Sequence, residues 1–257
     1  MTDQLRTEFN GAVATATFNR PAARNAVTWE MYDGLADFCE RVNADEAVRV
    51  VVFRGAGGKA FVAGTDIAQF QDFRGAADGH AYEQRIDGVL DRVEGIRVPT
   101  IAAVDGYATG GGLTIAACCD LRICSPAAKF GLPIARTVGN CLSMRNYARL
   151  VQLIGAGRAM HLICTAGFVE AEQAERIGLA SEVVSESELD GRIDALCEQI
   201  AAQAPLTMRA SKLAMRRLRE HSLPPGDDLI ELCYGSEDFR EGVGAFVEKR
   251  RPQWRGR

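Results

Sequence analysis

Three observations predict an α/β fold with a helix-rich C-terminal part. The chain opens on two alternating runs, "LRTEF" and "AVATATF", joined by Asn10-Gly11. Its first half then interleaves short β-branched runs with segments of helical length. From about Asn140 onward the pattern is mostly helical. Interleaved strands and helices point to an α/β core, and the helical second half to a packing or oligomerisation layer.

Each element follows from local chemistry. The opening pair reads as a hairpin, because Asn-Gly supplies the backbone that a two-residue turn needs. "RPAARNA" (20–26) follows as a loop, and Thr28 is placed to cap a helix through "WEMYDGLADFCERVNAD". "VRVVVFRGAG" (48–57) is a β-branched strand ending in glycines. After "FVAGTDIAQF" (61–70) and a polar region with Gly75 and Gly79, a helix spans roughly "YEQRIDGVLDRVEGI". "PTIAAVDG" (99–106) reads as a buried strand, "GGGLTIAACCD" (110–120) as a helix that starts in glycines, and "LRICSPAAKFG" (121–131) as a strand and turn. The stretches "SMRNYARLVQLIG", "GRAMHLICTAG", "EAEQAERIGLA", "ELDGRIDALCEQIAAQAP", "LTMRASKLAMRRLRE" and "DDLIELCYGSEDFREGVGAFVEKRRP" complete a helical second half. A soft division is drawn between an α/β core, 1–195, and a helical oligomerisation region, 196–257.

Composition narrows the function. The 257 residues are 47% hydrophobic, which suits a folded globular chain with a sizeable core. A net charge of −4 argues against a non-specific nucleic-acid binder. The basic stretch "KRRPQWRGR" (249–257) reads as a solvated tail, with contact to an anionic ligand or a neighbouring subunit as the minority reading. No secretion signal or membrane span is expected, since "MTDQLRTEFNG" is polar and no apolar run reaches bilayer length. Eight cysteines without a C-x-x-C pair fit free thiols in a reducing cytoplasm. His80, His161 and His221 are widely spaced and carry no ligand motif, so no metal site is expected.

The glycine loops match neither nucleotide motif: Gly58-Lys59 is followed by Ala60, and no G-x-G-x-x-G is present. Nor is there a G-x-S-x-G nucleophile elbow. Residues 61–68 and 106–117 each follow a strand and each place glycine where the backbone turns sharply. Gly110–Gly112 stand where a helix begins, so unpaired N–H groups point outward there. Amides of Thr65 and Gly111 could converge on one oxygen as an oxyanion hole. From the residues alone, simple tight turns packing strands on helices are the favoured reading.

At these residues the chain resembles the enoyl-CoA hydratase/isomerase superfamily, the crotonases. The similarity runs through "FNRPAARNAV", "GGKAFVAGTDIAQF", "PTIAAVDGYATGGGLTIAACCDLRI", "AKFGLP" and "EDFREGVGAFVEKRRPQW", in that order, over essentially the whole chain. The resemblance implies a spiral of β-β-α units followed by a helical trimerisation region, hence a homotrimer or homohexamer. It implies an acyl-CoA thioester as partner, with no separate cofactor because CoA belongs to the substrate. It assigns the oxyanion-hole amides to Thr65 and Gly111. It places Ala63, Asp66, Ile67 and Ala68 along the ligand channel and Ala23 and Arg24 at the CoA nucleotide. Asp66 reads as holding its turn rather than moving protons.

The sequence departs from a typical hydratase where that family carries two glutamates. Thr114 and Ile134 stand at those positions. Neither has a pKa suited to holding and deprotonating water. "PIARTVGNCLS" (133–143) is polar for a loop facing an acyl chain, and Arg136, Thr137, Asn140, Cys141 and Ser143 are candidates to touch a polar acyl substituent. Arg136 could pair with a substrate carboxylate or within the protein. Thr114 could position a water or pack its helix. Glu83 and Asp87 share one helix face and read as solvated rather than catalytic, although the resemblance places this helix near the mouth of the active site. The expected function is enolate chemistry on an acyl-CoA, of lyase or isomerase type. The alternative is a non-catalytic acyl-CoA binding protein.

Overall fold

A computed structural model describes residues 3–221 and 225–257. The hairpin forms as β1 (Leu5–Asn10) and β2 (Val13–Phe18), with Gly11 at φ 59° in the turn. Asn10 pairs with Val13, so the turn centres one residue later than expected, on Gly11-Ala12. Thr28 caps α1 (Trp29–Ala44) by accepting the Met31 amide at 3.3 Å. There follow β3 (Val50–Gly55), β4 (Ala60–Val62), α2 (Ala76–Glu94), β5 (Thr100–Val104), β6 (Tyr107–Thr109) and α3 (Gly111–Cys118). Next come β7 (Leu121–Cys124), β8 (Lys129–Gly131), α4 (Met144–Thr165), β9 (Phe168–Glu170), α5 (Ala171–Arg176) and β10 (Glu182–Val183). Four helices close the chain: α6 (Leu189–Ala201), α7 (Pro205–Glu220), α8 (Asp227–Tyr234) and α9 (Glu237–Val247). α2 begins six residues before the expected helix, and the two short strands β9 and β10 interrupt what reads as a helical region.

The strands sort into two sheets. One has the order β1-β2-β3-β5-β7-β10 and is parallel from β2 onward; the other has the order β4-β6-β8-β9. The pairs β3/β4, β5/β6 and β7/β8 each give one strand to each sheet and each precede a helix. That is a spiral of β-β-α units, as the resemblance implied. The large sheet is covered on both faces, as parallel sheets require. Along β3, Val51 and Phe53 enter the main core, whereas Val50 and Val52 pack against Leu189, Ile193, Leu196 and Cys197 of α6. The division at 195/196 therefore cuts through a helix that seals the sheet.

The C-terminal helices hold a different balance. None of the α7 residues is buried, and its Leu206 and Leu218 are 75% and 71% exposed. The basic tail folds back onto α9: Arg250 pairs with Glu241 and Glu248, Arg257 pairs with Glu237, and the amides of Arg255 and Gly256 donate to Asp238. Among the described residues, no helix is long and apolar enough to cross a membrane.

Candidate active site

The site begins with two backbone amides. Residues 25–27 lie beside the loop after β4 and form a parallel bridge between Val27 and Thr65. The Val27 amide donates to the Gly64 carbonyl at 2.8 Å, and the Asp66 amide donates to the Val27 carbonyl at 2.9 Å. In a parallel bridge the central residue's own N–H faces the other way, so the Thr65 amide points away from Val27. Gly64, at φ 109°, makes that turn without a Cβ penalty.

On the other side, Gly111 is the first residue of α3, where an amide has no intrahelical acceptor. Its neighbour Gly112 lets α3 press onto β4, because a Cβ there would overlap the Val62 carbonyl oxygen. A Cβ on Gly111 itself would stand 3.5 Å from the Thr65 nitrogen, so the two amides are neighbours. Neither N–H has a protein acceptor among the described residues. Two unpartnered amides side by side at a helix N-terminus are suited to a developing anion. The Thr65 hydroxyl fixes this loop from below, bonding the buried phenols of Tyr32 at 2.8 Å and Tyr82 at 2.9 Å. Burial pushes Tyr32 up to about 12 and Tyr82 well above the usual tyrosine range, so both stay protonated at neutral pH.

A cavity of about 610 Å³ opens over these amides. Its wall includes Ala23, Arg24, Ala63, Asp66, Ile67, Thr114 and Ile134 from the sequence reading, together with Thr65 and Gly111. Ala68 and Arg136 are exposed and lie outside that wall. Ala68 sits in the short 3-10 turn Ile67–Phe70, whose first and last residues take the inward positions. Likewise the 3-10 turn Pro133–Ala135 buries Ile134 and leaves Arg136 outside. Thr114 donates its hydroxyl to the Gly111 carbonyl at 2.9 Å, inside the first turn of α3. Asp66 caps the 3-10 turn through the Ala68 amide at 3.2 Å and pairs with Arg20 at 3.1 Å. Arg24 lies at the cavity rim over the Tyr107 ring, 5.8 Å from its centroid.

Glu83 corrects the sequence reading. It is 4% exposed and lines the cavity, instead of facing solvent. The Tyr234 hydroxyl donates to its Oε1 at 2.6 Å and the Ser143 amide to its Oε2 at 3.1 Å. Burial is the largest influence and, aided by the nearby Asp87, pushes its pKa up from 4.5 to about 8 against those two bonds. Asp87 is not in the wall; it accepts the Ser143 hydroxyl at 2.7 Å and lies 4.0 Å from Arg149. One signal was present in the sequence: Glu83 falls in the stripe of Gly79, Tyr82, Ile86 and Leu90, the buried face of α2. No local pattern marks Tyr234, which is 151 positions from Glu83.

The polar loop sorts itself in the same way. Thr137 and Asn140 reach the wall; Asn140 donates to the Tyr234 oxygen at 3.3 Å. Ser143 caps α4, and Cys141 turns away toward α8. Among the described residues, Asp91, Glu94 and Glu220 are close enough together to hold a cation. Arg149, Arg216 and Arg219 already pair with them.

Comparison with known proteins places this geometry. The family model for enoyl-CoA hydratase/isomerase matches residues 8–257. Crotonyl-CoA hydratase of Syntrophomonas wolfei is 35% identical over 243 residues, covering 93% of each chain. (E)-Benzylidenesuccinyl-CoA hydratase of Thauera aromatica is 37% identical over 255 residues, covering 97% of this chain and 98% of its own. The crystal structure of an enoyl-CoA hydratase/carnithine racemase from Magnetospirillum magneticum superposes with a TM-score of 0.82 at 34% identity, over 100% of this chain and 97% of that one. A match through both sheets, the glycine loops and the closing helices leaves one assignment: the chain belongs to the enoyl-CoA hydratase/isomerase family, within the crotonase superfamily.

Proposed function

We propose that the protein acts on an acyl-CoA thioester through an enolate held by the amides of Thr65 and Gly111, with Glu83 moving the α-proton. The observation that carries this is the position of Glu83. It is the one carboxyl group in the cavity wall that has no ion-pair partner among the described residues. The other, Asp66, is committed to Arg20 and to its own turn. A carboxyl group poised near pH 8 can be both proton acceptor and donor at neutral pH. Thr114 and Ile134 supply no second carboxylate, which favours isomerase or lyase chemistry over simple hydration.

The acyl group is uncharged in this reading. Arg24 is the only cation in the described wall, and it stands at the rim. A carboxylated acyl chain would meet Glu83 and apolar residues such as Ile86, Ile134 and Leu142. CoA enters as part of the substrate, with Arg24 and Ala23 beside its nucleotide. The exposed leucines of α7 and Leu232 of α8 support self-association through the helical region, and the homotrimer or homohexamer is what the resemblance implies for it. All eight cysteines are unpaired, in keeping with a reducing cytoplasm.

The test is α-hydrogen exchange in heavy water with a panel of neutral and carboxylated acyl-CoAs, read by mass spectrometry. Protein-dependent deuterium uptake is expected with the neutral thioesters. It should fall by about 10²–10³-fold in Gly111→Pro, which deletes one donor, and be lost in Glu83→Gln. Binding without exchange for every thioester would refute the reading and leave a non-catalytic acyl-CoA binding protein.

A further inference from the structure

Tyr234 stands outside the cavity wall, yet its hydroxyl bonds the carboxyl group within it. Three observations bear on this contact. The first is Gly79. It lies four residues before Glu83 on the buried face of α2, so the two positions stack one above the other. A Cβ on Gly79 would overlap the Cβ and Cγ of Tyr234. The missing side chain is the notch in which the tyrosine sits. The second is the packing of the ring. Tyr234 is fully buried, with Phe239, Tyr82 and Phe73 at centroid distances of 4.8, 6.1 and 6.4 Å. A ring enclosed on these sides offers its hydroxyl in one place.

The third is the direction of the hydrogen bonds. A carboxylate only accepts, so the Tyr234 hydroxyl donates to Oε1, at 2.6 Å. The phenol oxygen is then left to accept, and Asn140 turns its amide nitrogen to it at 3.3 Å. The Asn140 Oδ1 is stranded by this arrangement: it is buried and has no donor among the described residues. The chain gives up one acceptor to keep both donors running toward Glu83. Burial and the nearby Glu83 push Tyr234 well above the usual tyrosine range, so it keeps the proton it donates.

We infer that Tyr234 is the positioning residue of Glu83: seated in the notch left by Gly79 and steered by Asn140, its hydroxyl holds Oε1 in place and favours the charged, proton-accepting form of the carboxyl group. A donor to a carboxylate opposes what burial does to it. The other ionisable groups around Glu83 are Asp87 and Tyr82 on α2, Tyr32 on α1, Cys141 on the loop before α4 and Tyr147 on α4. Each is turned elsewhere. Asp87 faces Ser143 and Arg149, Tyr32 and Tyr82 bond Thr65, Cys141 bonds the Leu229 carbonyl, and Tyr147 accepts the Leu142 amide. His80, one turn earlier on α2, faces Asp227 and Glu231 of α8 at 3.8 and 3.7 Å. The Ser143 amide is the other donor to Glu83, and it is backbone. Among the described residues, Tyr234 is thus the one side chain that bonds this carboxyl group. Its consequence for proton transfer rests on the acid–base role proposed above; its hold on Glu83 does not.

The experiment follows Glu83 in two ways on the full-length protein. Carbon-13 labelling of glutamate carboxyl groups reads its titration directly, the signal being assigned by its loss in Glu83→Gln. The pH profile of α-hydrogen exchange reads its use as a base. In Tyr234→Phe, which keeps the ring and removes the donor, the carboxyl midpoint should rise by about one to two pH units. Exchange at pH 7 should fall by about 10- to 100-fold with KM within about twofold of the wild type, and the gap should narrow above pH 9. Gly79→Ala should raise the midpoint too, and the double variant should go no further than Tyr234→Phe alone. Asn140→Leu should raise it by under about one pH unit, because the phenol loses the donor that polarises it. A Tyr234→Phe protein with the wild-type midpoint and profile, whatever its stability, overturns the inference and leaves Tyr234 as packing. So does a Gly79→Ala protein that folds with an unmoved midpoint. If the wild type shows no exchange at all, the proposed function fails, and the carboxyl titration still decides the role of Tyr234.

Discussion

Replacing Glu83 by glutamine separates a buried acid from a solvated one. The folded protein raises this carboxyl from 4.5 to about 8, while the unfolded chain returns it to its ordinary value. Between those limits the native state binds more protons than the unfolded state, so stability must fall as pH rises. The full span corresponds to on the order of 5 kcal/mol, of which roughly 4 kcal/mol is lost between pH 5 and pH 9. Glutamine has the same shape and no charge, so this slope vanishes. It keeps an acceptor for Tyr234 and loses the one facing the Ser143 amide, a cost of about 1 kcal/mol. Glu83→Gln should therefore match the wild type within about 1 kcal/mol at pH 5 and exceed it by about 3 kcal/mol at pH 9. The assay is equilibrium urea unfolding at both pH values and one fixed protein concentration, since any self-association would shift apparent stability. A difference between the two proteins that stays constant with pH would refute the burial argument, and with it the acid–base role drawn from it.

Two further substitutions probe the frame around the site. Arg149 is 2% exposed and bonds Glu94 at 2.8 Å and Asp91 at 3.0 Å. Arg149→Met should destabilise by about 3–5 kcal/mol, because Glu94 keeps only Arg219 in a buried setting; a loss under 1 kcal/mol in urea unfolding would contradict this. Gly112→Ala should cost about 1–3 kcal/mol of stability and about 10²-fold in α-exchange, because lifting α3 off β4 separates Gly111 from Thr65. An alanine protein with wild-type exchange would show that the two amides do not depend on this close approach.

Much of the molecule is readable from short stretches of chain. The hairpin, the Thr28 cap, the β-branched β3 and the glycine start of α3 each rest on a few adjacent residues whose backbone preferences agree. The two amides belong to the same class. Gly64 turns one and a helix start frees the other, so the local backbone allows a pair of free amides there, and the resemblance is what singled out Thr65 and Gly111. The strands β9 and β10 escape notice because they are three and two residues long and owe their pairing to β8 and β7.

Side-chain roles are another matter, since charge state and direction depend on what lies across the fold. Arg136 and Ala68 stand in stretches of the right kind, yet a single turn of 3-10 helix puts Ile134 and Ile67 inside and these two out. Glu83 has the composition of a solvated helix face in the sequence. Its place in the stripe of Gly79, Ile86 and Leu90 hinted otherwise, but only the arrival of α8 and the loop before α4 buries it, supplies its two donors and raises its pKa. The sequence by itself determined where the backbone would turn and free its amides, because those are local steric choices. Tertiary structure alone decided which carboxyl group is removed from water, because desolvation is set by neighbours as far as 151 positions away.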